Sequence, residues 1–191
     1  MRKNFGPKPW LYPMPVLIIG TYDEAGVPDA MNAAWGMISD MDKVTICLDA
    51  RHKTVKNIMV KKAFTVSMAD VKNVIAADYV GIISGNDVPD KVAKTGWHVT
   101  KSEYVDAPIF EELPMTLECK MISYDEESEL MTGEIVNICI DESILNDKGN
   151  VDLSKFKPIT YDAANHDYVT LGEKVGDVFS IGKKETVNYF V

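Results

Sequence analysis

Apolar and β-branched residues recur along the chain in short runs bounded by polar or turn-forming residues. Val16–Tyr22, Pro28–Ala34, Val44–Leu48 and Phe64–Met68 read as strands, and so do Met115–Tyr124, Leu130–Asp141 and Pro158–Tyr161. Asp23-Glu24-Ala25-Gly26, between the first two, has the composition of a hairpin turn. A helical spacing of apolar residues is confined to short stretches: Thr54–Lys61, with Val55, Ile58 and Met59 on one face, then Val71–Gly81 and Asp90–Lys94. Thr54 is the expected N-cap of the first helix. Strands outnumber crossover helices, and neighbouring strands are joined by turns. The pattern predicts a mainly β protein, a closed antiparallel barrel with short helices packed outside, rather than a parallel doubly wound sheet. No repeat, low-complexity tract or linker interrupts it, so a single domain over residues 1–191 is expected.

Composition narrows the classes. A hydrophobic share of 46% is enough for a core, and a formal charge of −9 argues against general nucleic-acid or anionic-membrane binding. No apolar run approaches the roughly 20 residues that span a bilayer, and the first ten residues lack a signal-peptide core. Cys47, Cys119 and Cys139 lie inside strand-like patterns with no close spacing. They are expected to be buried, reduced thiols in a cytoplasmic protein.

Against that acidic background one basic cluster stands out. Cys47-Leu48-Asp49-Ala50 ends a strand, Arg51-His52-Lys53 forms a short loop, and Thr54 opens a helix. A strand–helix loop of this kind aims free backbone N–H groups and the positive helix end at one point, where a phosphate fits. The alternative is a solvated loop with surface ion pairs of little energetic consequence. Spacing alone leaves the two equal.

Other candidates have ordinary explanations beside the functional ones. Asn32-Ala33-Ala34-Trp35-Gly36 would let a flat ring lie against backbone; it also suits a core Trp beside small residues. Ser84-Gly85-Asn86-Asp87, before Asp90-Lys91, reads as a Gly-containing helix end and polar loop. Trp97-His98 suits a lid or an interface, but a half-buried surface Trp is commoner and is the expectation here. The chain has no GxGxxG, Walker A, CxxC, HExxH or GxSxG pattern, and its three His are far apart, so no metal site and no side-chain nucleophile is expected.

Taken in order, seven segments resemble the FMN-binding split-barrel proteins of the flavin-reductase-like group, which includes flavoredoxin. They are Pro13-Met14-Pro15-Val16; Gly26 to Trp35, with Pro28, Asp29, Met31 and Asn32; Arg51-x-Lys53-Thr54-x-x-Asn57-Ile58; Ser84-Gly85 with Asp90-Lys91; Leu117-Glu118-Cys119; Gly133-Glu134-Ile135; and Tyr168-Val169-Thr170-Leu171-Gly172. Asp29 stands where the family usually has Asn. The resemblance implies a split barrel, a homodimer, and FMN near the dimer interface. It makes Arg51, Lys53 and Thr54 phosphate ligands, with Leu48, Asp49 and Ala50 leading into them. It sets Asn32, Ala33, Ala34 and Trp35 beside the isoalloxazine and brings Ser84, Gly85 and Lys91 toward the flavin.

One departure bears on the reaction. Family members that take hydride from nicotinamide often carry a Gly-Asp-His turn between the strands that here are Leu117–Cys119 and Gly133–Val136. This chain has Asp125-Glu126-Glu127-Ser128-Glu129, acidic at four of five positions and without His. The expectation is therefore an FMN-binding oxidoreductase that carries electrons to or from a redox partner protein. The alternatives are an NAD(P)H-dependent flavin reductase and a non-enzymatic FMN or haem binding sensor.

Overall fold

A computed structural model describes residues 1–185. In chain order its strands are β1 (Met14–Pro15), β2 (Leu17–Tyr22), β3 (Pro28–Ala33), β4 (Gly36–Asp40), β5 (Lys43–Cys47) and β6 (Ala63–Met68). They continue with β7 (Val99–Lys101), β8 (Pro108–Phe110), β9 (Met115–Asp125), β10 (Leu130–Ile140), β11 (Ile159–Asp162) and β12 (Asp167–Thr170). The helices are α1 (Lys53–Lys61), α2 (Val74–Ile82), α3 (Leu153–Phe156) and α4 (Ile181–Glu185), with a 3-10 turn over Lys91–Lys94.

Seven strands form one antiparallel sheet in the order β3-β2-β6-β9-β10-β5-β4. Its two edge strands, β3 and β4, are consecutive in the chain and joined only by Ala34 and Trp35, so the sheet must curl until its edges meet. Gly36 marks the meeting point. A Cβ there would lie 2.6 Å from Leu17 of β2 and 3.3 Å from Ile46 of β5. Among the described residues no ladder joins β3 to β4, so the barrel is split along that seam. Ile19, Ile46, Phe64, Val66 and Met131 fill the interior and have no exposed surface. Each such side chain contributes roughly 1.5–3 kcal/mol by leaving water.

A second core lies outside the sheet. Val16, Ile18 and Ala30 meet Ala77 and Val80 of α2, together with Phe110 and Trp97. Trp97 is 7% exposed, donates its indole N–H to Asn73 at 3.2 Å and packs on Phe110 at 5.2 Å. It is a core residue, correcting the half-buried surface position expected for it. β1, β11 and β12 make a small sheet that ties the residues before β2 to the end of the barrel, with Met14 paired to Tyr161.

The hydrophobic pattern locates the long strands within a residue or two. It misses β4, whose residues after Gly36 are all exposed and so carry no alternation. It also misses the short strands β7, β8 and β12. The second helix starts at Val74 rather than Val71, because Asp70 accepts the N–H of Asn73 in a preceding turn. The expected helix Asp90–Lys94 is a 3-10 turn beginning at Lys91. All three cysteines are unpaired, yet only Cys119 is buried, its thiol pushed up to about 12 by burial; Cys47 is half-buried and Cys139 exposed. Cys47 is the last residue of β5, at the strand's open end, and Cys139 lies on an exposed stretch of β10. Among the described residues no helix is long and apolar enough to cross a membrane.

Candidate functional site

The basic loop lies where the pattern placed it, between the end of β5 and the start of α1. Among the described residues, the backbone N–H groups of Lys53, Thr54 and Val55 have no acceptor, as expected for a first helical turn. The cap is His52, with no side-chain hydrogen bond, and not Thr54. Thr54 is drawn into the helix and donates its hydroxyl to the Asp29 carboxylate at 2.6 Å. As an N-cap the hydroxyl would accept a backbone N–H; here it donates a charge-assisted bond to a buried carboxylate instead.

Asp29 sits on β3 and is 1% exposed. Its Oδ2 takes the Thr54 bond, and its Oδ1 has no hydrogen-bond partner in the structure. The nearest cation to Oδ1 is Lys91, whose Nζ is 3.7 Å away. That ammonium also donates to the carbonyls of Val80 at 3.0 Å and Ile83 at 2.8 Å, closing the C-terminal end of α2. Burial lowers the Lys91 pKa from its usual value, and Asp29 opposes the shift. Lys91 therefore stands behind the loop with its donors engaged, and it presents no exposed ammonium to a ligand.

Gly85 fits against this pair. A Cβ at Gly85 would lie 2.3 Å from Asp29 Oδ1 and 3.2 Å from Lys53 Cδ, so only glycine admits the approach. Asn86 follows, with its backbone N–H bonded to Ser84 Oγ at 3.1 Å and its amide donating to the Arg51 carbonyl at 3.1 Å. The Ser84–Asn86 turn and the Arg51–Thr54 loop are thus brought together within one chain.

Each ionic or hydroxyl donor of the loop already faces an acid. The Arg51 side chain is 90% exposed and makes a forked ion pair with Asp49. Hydrogen bonding from that guanidinium holds the Asp49 carboxyl well below the usual carboxylate range. Lys53 lies 3.2 Å from Asp23 of the β2–β3 turn. Burial pushes the Asp23 carboxyl up, but the Val27 N–H and the Lys53 ammonium more than offset it, so its pKa is lowered. The acidic turn between β9 and β10 also touches this region. The Glu129 carbonyl accepts the Leu48 N–H at 2.8 Å, and Tyr124 donates to the Leu48 carbonyl at 2.7 Å.

Beyond the loop, at the seam of the barrel, is an apolar cleft of about 490 Å³. Ala34, Trp35, Met37, Cys47 and Leu130 line it from the barrel. Trp35 is 55% exposed there, not a core Trp. Ala33 turns inward against the barrel core. Asn32 turns the other way, where its amide donates to the Ala77 carbonyl at 3.1 Å and reaches the Tyr168 hydroxyl at 3.4 Å. Tyr168 in turn donates to Asp78 at 2.8 Å, and its phenol is pushed up to about 12 by burial and that bond. The four residues Asn32 to Trp35 therefore serve three different surfaces.

These features fit a flat ring bearing a phosphate tail. A helix N-terminus with free N–H groups, Arg and Lys side chains and a glycine-walled turn suit the phosphate. The apolar cleft four residues upstream of Arg51, lined by an exposed indole, suits the ring. Sequence reasoning missed Asp23 and the lining role of Cys47; the first has no local signal, and the second is visible only once β4 and β5 pair.

A curled seven-stranded antiparallel sheet split at one seam defines the class of this fold as a split barrel. A family model described as flavin reductase like domain matches residues 11–167, and the chain belongs to that family. It is similar to flavoredoxin of Desulfovibrio vulgaris (Miyazaki F), with 35% identity, a TM-score of 0.91, and 95% of this chain and 100% of that chain covered. It shares the fold of a flavoredoxin from Methanosarcina acetivorans, with a TM-score of 0.87, 24% identity, and 96% and 98% coverage of the two chains. An uncharacterised Aquifex aeolicus protein is 30% identical over 56% of this chain and 55% of that protein. The chain spans little more than half the length of the curated relatives it matches.

Proposed function

We propose that this protein is an FMN-binding electron-transfer flavoprotein of the flavoredoxin type. The observation that carries the reading is the union of two features at one edge of the barrel. The Arg51–Thr54 helix start offers free N–H groups for a phosphate, and the adjoining Trp35–Cys47 cleft is apolar and open. Arg51, Lys53 and Thr54, with Ser84 and Gly85 beside them, hold the phosphate end; Ala34, Trp35 and Leu48 to Ala50 flank the rest. Lys91 supports this set from behind through Asp29. FMN supplies the redox chemistry, and the protein supplies position and electrostatics. One unit over residues 1–191 in a cytoplasmic setting belongs to the same reading, which the unpaired cysteines support. Residues 186–191 lie outside the described part of the chain.

The acidic β9–β10 turn favours a redox partner protein over a nicotinamide nucleotide as electron donor. It places Glu129 beside Leu48, close to the loop that would receive any second phosphate-bearing ligand. Negative potential there slows the encounter with an anionic dinucleotide, an effect that weakens with salt. The purified protein should show flavin absorption bands. In stopped flow, dithionite or a small reduced electron-carrier protein should bleach them rapidly, and micromolar NADH or NADPH only slowly. Fast, saturable bleaching by NAD(P)H would instead assign an NAD(P)H-dependent flavin reductase, and absence of FMN uptake would remove the proposal altogether.

The same reading includes a homodimer, which the surface supports. α2 carries a single charged residue, Asp78, which is bonded to Tyr168, yet its Ile75 and Ile82 are 84% and 70% exposed. Large exposed apolar side chains on one helix are the kind of surface that a partner covers. Met37, Ile38 and Met41 add a second exposed apolar strip on the edge strand β4. Sedimentation at micromolar concentration should give twice the monomer mass, and a monomer at that concentration would count against a shared interface.

A further inference from the structure

The apolar cleft has a wall that neither the basic loop nor the Ala34–Trp35 link explains. Lys8, Pro9, Trp10 and Leu11 line it from the N-terminal segment. This segment hangs from a fixed base. Met14 pairs with Tyr161, the Thr160 hydroxyl donates to the Met14 carbonyl and accepts its N–H, and Tyr12 donates to Asp162. Beyond that base the chain leaves the barrel surface. Trp10 and Leu11 remain 40% and 71% exposed although they border an open cavity. Two exposed indoles, Trp10 and Trp35, thus border one space from chain positions 25 residues apart. Among the described lining residues, Lys8 alone carries a charge, and its ammonium lies 5.9 Å over the Trp10 ring.

We propose that the segment Lys8–Leu11 is a wall of the FMN ring site, in which Trp10 packs on the isoalloxazine and Lys8 sets its redox poise. The inference rests on the FMN reading and extends it to residues outside the matching family segments. The occupant follows from continuity: Cys47 lines the cleft and lies four residues before Arg51. A ring whose phosphate is held at Arg51–Thr54 therefore reaches the cleft along the end of β5. A cavity of this volume is of the size that takes a cofactor ring, and an apolar lining with one cation is the usual chemistry. Uptake of two electrons and one proton leaves the ring with one negative charge. A cation at the rim then favours the reduced form over the neutral oxidised one, and in a protein of formal charge −9 it acts against a repulsive background.

The test uses the full chain loaded with FMN, with Trp10→Ala, Lys8→Gln and Lys8→Arg as variants. These side chains are exposed, so folding is not threatened, and circular dichroism checks it. In Trp10→Ala the flavin fluorescence should rise, because one of the two indoles that quench it is gone while Trp35 remains. In Lys8→Gln the reduced flavin should be held about tenfold less tightly relative to the oxidised form, a fall of roughly 30 mV in the two-electron potential. Lys8→Arg should restore the wild-type potential. Fluorescence and potential both unchanged in variants that still bind FMN would overturn the proposal and leave the FMN reading standing. Failure of the wild-type chain to take up FMN would overturn both.

Discussion

Replacing Lys91 by Met should lower the unfolding free energy by about 3–5 kcal/mol, the usual cost of removing one partner from a buried charge pair. Lys91 has 3% of its side chain exposed and Asp29 has 1%, so neither charge can recover solvent in the folded state. The lost ammonium donates to the carbonyls of Val80 and Ile83 and is the ion-pair partner of Asp29. Asp29 would be left with the Thr54 hydroxyl as its one hydrogen-bond donor. For a chain of this size the loss corresponds to a fall of roughly 6–20 °C in Tm. Adding Asp29→Asn should return a large part of it, because a neutral amide is cheaper to bury than an unpaired carboxylate. Calorimetry of both variants is the measurement. A Lys91→Met protein that melts with the wild type would mean that the pair is not enclosed as described.

Arg51→Ala should weaken FMN binding about ten- to a hundredfold while leaving riboflavin, which has no phosphate, almost unaffected. Two contributions act in the same direction. The variant loses a bidentate donor to the phosphate, and it leaves Asp49 unpaired at the same place. The exposed Arg51 side chain adds nothing measurable to stability, so the variant should fold normally. Fluorescence titration with both ligands separates phosphate recognition from ring binding. Equal weakening of the two would place Arg51 at the ring instead.

Much of the fold was legible because the strands are apolar, β-branched runs bounded by turns: β2 is buried along nearly its whole length, and β5 alternates buried with half-buried positions. β4 was not, because its residues after Gly36 are exposed on both faces and show no alternation. The basic loop could be read from local order alone: strand, three basic residues, helix. What surrounds it could not. Asp49 is local, two residues before Arg51, but Asp23 and Asp29 come from the β2–β3 hairpin, and only the tertiary fold brings them onto the loop. The same fold separates Asn32 from Trp35, which a linear motif had grouped together. Thr54 looked like a cap because its helix begins there; a carboxylate 25 positions earlier in sequence claimed its hydroxyl.

The acids around the basic loop have a consequence for how a ligand enters. Asp49 on Arg51 and Asp23 on Lys53 pair the loop's cations with acids, and Asp29 engages the Thr54 hydroxyl, so the loop is nearly self-neutralised before any phosphate arrives. Binding is then an exchange of counter-ions and not the filling of a vacant charge. Its strength is a difference between two sets of contacts, so affinity responds to weakening the internal acids as directly as to strengthening the bases. A lineage, or a designer, could shift such a protein from holding its flavin to releasing it by changing residues that never touch the ligand.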